Sequence, residues 1–144
     1  MSLTNKFPLG NLNNTAVIIP IAPGETAWKE LLEDLKFLPL DTHIFLVGNA
    51  KPDAWEALAP FGLRQKLFWI KSPILCRAHQ MNLGAKACSK KFLWFLHADS
   101  RIPHGSFGAL HEALDREPNA LHYFELAFLN DGPSLTFLNS KGAW

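Results

Sequence analysis

The chain has 144 residues, 48% of them hydrophobic and 19% charged, with 14 Lys and Arg against 13 Asp and Glu. This length suits one compact domain, the balance supports a packed core and excludes a disordered chain, and a net charge of +1 excludes broad attraction to nucleic acid or anionic lipid. No apolar run approaches the roughly 20 residues that cross a bilayer.

No charged stretch followed by an apolar run opens the chain, so no signal peptide is expected. Cys76 and Cys88 point in different directions on one predicted helix and read as reduced thiols of a cytoplasmic protein. Residues 1–15 are polar and Asn-rich and read as a flexible lead-in to a single domain over 16–144.

The first predicted strand is Ala16–Pro20, "AVIIP". Its unbroken β-branched run suits a strand buried on both faces. A helix is expected over Glu25–Leu38, where Trp28, Leu31, Leu32, Leu35 and Leu38 form one apolar stripe. Thr42–Gly48 is the second strand, Pro52–Leu58 a short helix opened by proline, and Lys66–Ile70 the third strand. A helix follows from Leu75 to about Ser89, then a fourth strand, Lys91–His97, and a helix from Pro103 to about Arg116. Ala120–Leu129 reads as a fifth strand at a sheet edge, and the tail from Pro133 as a final helical turn or two. Strands alternating with helices predict an α/β fold: a mainly parallel sheet with helices on both faces.

In such sheets ligands gather beyond the carboxyl ends of the strands. The fourth strand ends on "HADS". In an extended chain His97 and Asp99 share a face, and a carboxylate there can hold a divalent cation against a diphosphate. Spacing alone favours the simpler reading, in which Asp99 or Ser100 caps the next helix and His97 is a packed strand end. In the helix "LCRAHQMNLGAKACS", residues Arg77, Met81, Gly84, Ala85 and Cys88 fall on one arc with Gln80 at its border. Arg77 and Gln80 would then reach the same crevice as Asp99, unless Arg77 only snorkels to solvent. Gly24 offers close backbone approach, and Asn49 and Asp53 follow the second strand. Cys76, His79, His97 and His104 match no common zinc spacing.

"AVIIPIAPGET", "RAHQMNLGAKA" and "FLWFLHADSRIP" together resemble, in order and spacing, the nucleotide-sugar half of family 2 glycosyltransferases. The closest likeness is to small bacterial members whose helix reads R-x-x-Q-M-N-x-G-A and whose strand end reads L-H-A-D-T-R-L-P. It covers about Ala16–Arg116. The resemblance implies a Rossmann-like GT-A fold and sugar transfer from a UDP- or GDP-linked donor, with Mg²⁺ or Mn²⁺. It makes Asp99 the metal-contacting carboxylate and puts His97 where the family's D-x-D motif has its first acid. Arg77, Gln80 and Asn82 fall on its donor-side helix, and Gly24 and Glu25 near its Asn-Glu pair.

Three departures stand out, the first being Pro23-Gly24, with Glu25 next, where the family has Asn-Glu. Gly48 occupies the place of an acid that holds the nucleoside, and the acceptor-binding half is unmatched before Trp144. The resemblance assigns no general base, and Glu125 and Asp131 are candidates by position only. The function readings are a glycosyltransferase, a degenerate module that binds nucleotide or a partner without turnover, and a structural domain. An open sheet edge after Leu129 and apolar residues near Phe137, Leu138 and Trp144 also predict self-association into a homo-oligomer.

Overall fold

The computed structural model describes residues 10–53, 55 and 66–125. Its sheet has four parallel strands: β1 (Thr15–Pro20), β2 (His43–Gly48), β3 (Lys66–Lys71) and β4 (Phe92–Phe95). Their spatial order is β3-β2-β1-β4. The chain therefore steps outward from β1 to β3 and then returns to the other side of β1.

β1 is central, and all six of its residues are buried, as its β-branched run requires. One face of the sheet carries Val17, Ile19, Ile44, Leu46 and Trp94. Helices α2 (Trp28–Leu35) and α4 (Ser106–Arg116) cover it with Trp28, Leu31, Leu35, Phe107, Leu110 and Leu114. The other face carries Ala16, Ile18, Phe45 and Val47 under helix α3 (Arg77–Ala87).

Most expected elements are present with shorter ends. The apolar stripe of α2 is buried through Leu38, but the helix starts three residues after Glu25. Glu25 Oε1 accepts a hydrogen bond from the Ala27 amide, and the Glu25 carbonyl accepts one from Trp28 Nε1, so the residue shapes the entry to the helix. Of the expected helix Pro52–Leu58, only Pro52, Asp53 and Trp55 are described.

Two expectations are corrected. The lead-in does not extend to residue 15. Gly10–Asn13 form a short helix, α1, with Leu12 fully buried. Thr42 Oγ1 donates to the Leu12 carbonyl at 2.7 Å and Lys90 Nζ to the Asn13 carbonyl at 2.8 Å, so this turn is tied to the amino end of the sheet. The expected fifth strand is absent over Ala120–Glu125. Pro118 and the turn after it bend the chain: Ala120 N and His122 Nε2 both donate to the Glu117 carbonyl. Leu121 and Tyr123 are 94% and 80% exposed, and no strand among the described residues covers either side chain. Residues 126–129 and the expected tail helix lie outside the described residues.

α3 sits very close to the sheet. A Cβ on Gly84 would come within 2.5 Å of Ile18 Cγ2. Gly84→Ala should therefore destabilise the fold by about 1–2 kcal/mol, the net of overpacking that costs up to about 3 and a gain in helix propensity of about 1. Urea unfolding of the two proteins measures it, and equal midpoints would contradict the close contact.

Candidate functional site

The strand order reverses between β1 and β4, and a crevice opens there beyond their carboxyl ends. It is a cleft of about 260 Å³. The exit of β1 contributes Pro20, Ala22, Pro23 and Glu25; the approach and first turn of α3 contribute Leu75, Arg77 and Gln80; the exit of β4 contributes His97, Ala98 and Asp99. Arg77, Gln80, His97, Asp99 and Glu25 are thus brought together. Gly24 lines a neighbouring cavity instead, and Asn82 is exposed and lines neither.

His97 and Asp99 meet in the cleft by a different geometry from the one expected. The strand ends at Phe95, and the Leu96 amide still bonds the Ile18 carbonyl at 3.0 Å. The chain then turns, with Ser100 N donating to His97 O at 3.0 Å. A tight turn, not strand alternation, puts both side chains on the cleft. Neither Asp99 nor Ser100 caps the following helix, whose N-cap is Gly105. Among the described residues, no hydrogen bond or ion pair engages the Asp99 carboxylate or the Arg77 guanidinium, and both residues are exposed.

Gln80 behaves otherwise. It is 5% exposed, and its Nε2 donates to the carbonyls of Ile21 and Val47 at 2.9 and 2.8 Å. The inner face of α3 is therefore centred on Gln80 and Gly84, with Arg77 at its rim rather than in its arc. The sequence pattern put the polar Gln80 at the border because periodicity cannot reveal acceptors waiting on the sheet.

The second cavity, about 470 Å³, lies between the exits of β1 and β2. Gly24, at φ +77°, turns the chain along one wall, and Trp28, Lys29, Asn49, Lys51, Asp53 and Trp69 complete it. Gly48 explains its own smallness. A Cβ there would meet Trp69 Cη2 at 2.8 Å and the Ile21 carbonyl at 3.2 Å. An indole from β3 fills the space an acidic side chain at residue 48 would need.

One residue of the "HADSR" run has a role that spacing alone does not reveal. Arg101 Nε and Nη2 pair with both oxygens of Asp34 on α2, at 2.8 and 3.0 Å, and Nη1 reaches Glu30 at 3.0 Å. Asp34 Oδ2 also accepts from the Ile102 amide. This fork holds the loop after β4 against α2. The Arg101 hydrogen bonds hold the Asp34 carboxyl below its ordinary value of 3.8, and Asp34 in turn raises the guanidinium. The partners lie 67 residues apart, so only the fold joins them.

Among the described residues no three His, Cys, Asp or Glu side chains converge as a metal cage. The cleft offers Asp99 and His97, while Glu25 already bonds the Ala27 amide. Such a set fits a cation that takes further oxygens from a phosphate ligand, the usual habit of Mg²⁺, and not one held by protein alone. Cys76 and Cys88 are unbridged.

No family model matches the chain, and no curated protein matches it significantly. Solved structures share its fold. S. aureus TarS 1–349 aligns with a TM-score of 0.58 at 17% identity, covering 72% of this chain and 33% of that one. Mannosyltransferase PcManGT from Pyrobaculum calidifontis, in complex with GDP-Man and Mn²⁺, aligns at 0.57 and 18%, covering 68% and 31%. The chain has a GT-A-type, Rossmann-like α/β fold. TarS 1–349 in complex with UDP-GlcNAc aligns at 0.54 and 19%, covering 72% and 32%. This chain thus spans about a third of the length of these proteins, and at such identities the likeness is one of fold. Among the described residues no helix is long and apolar enough to cross a membrane.

The Asp34–Arg101 fork has a pH signature. A carboxyl held low in the folded state contributes stability that is complete above the unfolded carboxyl's range and is lost as pH falls through the folded value. The loss belongs below about pH 4. Asp34→Asn should remove this acid-limb dependence. It should also cost about 1 kcal/mol or less at neutral pH, because Arg101 is 41% exposed and solvent screens the pair. Urea midpoints from pH 2 to 7 measure both, and an unchanged acid limb would contradict the assignment.

Proposed function

We propose that the chain binds a nucleotide-diphosphate sugar, UDP- or GDP-linked, as part of a glycosyltransferase. The observation that carries the reading is the meeting of Arg77, His97 and Asp99, from three separate segments, at the point where the strand order reverses. Arg77 supplies a charged donor fork suited to phosphate. The first turn of α3 adds the positive end of its dipole at the same edge. His97 stands where it can donate to a phosphate oxygen.

Asp99, left unpaired by Arg77, is suited to hold Mg²⁺ or Mn²⁺ together with the diphosphate. When bound, that cation would offset charge on a departing nucleotide diphosphate. The adjoining cavity, with Gly24, Asn49 and Trp69, continues the cleft toward the nucleoside side. The complexes of the structural neighbours with GDP-Man and UDP-GlcNAc support this ligand class.

A second reading has its own support. Gly48 and Trp69 close the position of the nucleoside-holding acid, and Glu125, the described candidate base, is exposed and lies outside both cavities. A module that binds nucleotide without turnover would show this combination. On either reading Asn82 lies on the outer side of the donor helix.

Thermal unfolding with UDP- and GDP-sugars, with and without Mn²⁺, tests the binding. A ligand at 100 times its Kd should add about 2.7 kcal/mol. Asp99→Ala should abolish the Mn²⁺-dependent part, and Arg77→Ala should weaken binding with or without the metal. Release of UDP or GDP by the wild-type chain separates enzyme from binder. No shift with either nucleotide sugar, metal present or absent, would sink the reading.

A further inference from the structure

Gln80 is buried at the crossing of three elements. Its one nitrogen donates to the carbonyls of Ile21 and Val47, the points where β1 and β2 leave the sheet. The Ile21 amide also bonds the Val47 carbonyl at 2.8 Å, so three groups meet in a closed knot. The residues that follow, Ala22 to Glu25 and Asn49 to Asp53, line the two cavities. Gly84, one turn along α3, lets the helix approach Ile18 closely enough for the amide to reach these backbone oxygens. Among uncharged side chains only an amide NH₂ can serve both acceptors from one atom: a carboxylate has no proton to give, and a hydroxyl has one.

We infer that Gln80 is a positioning residue whose NH₂ group fixes the exits of β1 and β2, and through them the walls of both cavities, rather than binding the ligand. Both NH₂ protons are committed to backbone carbonyls, so neither is available to a phosphate or a sugar hydroxyl. The effect on affinity rests on the nucleotide-binding reading above; the knot itself does not. Removing the amide frees two carbonyl acceptors. Val47 O keeps its bond from the Ile21 amide, whereas Ile21 O loses the Gln80 donor, so the exit of β1 should loosen first.

The test uses the whole chain, with UDP and GDP as probes. In wild-type protein, ¹⁵N-resolved NMR should show the Gln80 NH₂ protons protected from exchange and unmoved by saturating nucleotide, while the Arg77 Nε–H signal shifts. Gln80→Met keeps length and volume but has no donor. It should stay folded, move the amide signals of Ala22–Glu25 more than those of α4, and bind UDP or GDP about tenfold or more weakly. Leu114→Ala, which destabilises the core away from both cavities, is the control and should bind like wild type at a temperature where all are folded.

A Gln80 NH₂ that exchanges freely, or that shifts on nucleotide addition as Arg77 does, overturns the inference. So does a Gln80→Met protein that binds as wild type. Should the wild type bind neither nucleotide, the nucleotide reading falls, and the exchange protection and the loop shifts still decide for or against the knot.

Discussion

The close seating of one helix on the sheet governs this molecule. Gly84 lies directly on Ile18, and Gln80 on the same face bonds the ends of two strands. Van der Waals contact with no Cβ between and hydrogen bonds to buried carbonyls are both short-range, so both fix the helix within a few tenths of an ångström. The register of α3 then decides where Arg77 stands. A helix one side chain further from the sheet would carry its first turn away from the exits of β1 and β4, and the cleft would lose its cationic wall.

A second constraint acts from the opposite face. The Arg101–Asp34 fork and the Ile102 amide hold the segment after β4 against α2. The cleft is thus bounded by one element fixed by apolar contact and another by a partly exposed ion pair. These respond differently to conditions. The first is indifferent to salt and pH near neutrality, and the second weakens with both salt and acid. The "HADSR" turn is the more adjustable wall, and it is the one that carries Asp99.

How much was legible in the sequence follows from the range of the interactions involved. A fully buried β-branched run declared β1, and apolar runs rich in aromatic and branched residues declared β2, β3 and β4, although Phe68, Leu93 and Phe95 turn out exposed. The apolar stripe of α2 was legible for the same reason. Gln80 was read as a ligand contact because a polar residue near a cleft looks identical, in sequence, to one that bonds backbone acceptors from another element. Arg101 was passed over since its partner lies on a helix 67 residues earlier. The turn at His97–Ser100 replaced the expected strand extension and still delivered both side chains to the cleft. Of the predicted fifth strand Ala120–Leu129, the described part, Ala120–Glu125, has no strand to pair with among the described residues, and composition without a partner does not make a strand.

The charges of the cleft argue among themselves. Arg77 and Asp99 line one cavity of about 260 Å³ without an ion pair between them. Side chains of opposite sign that face the same space and stay apart leave a place between them for a group carrying both an anionic and a cation-binding function. A diphosphate meets that description: its oxygens accept from a guanidinium on one side and share a divalent cation with a carboxylate on the other. A plain anion would be repelled by Asp99, and a plain cation by Arg77. His97 lines the same cleft, and an imidazole adds no negative charge beside Asp99.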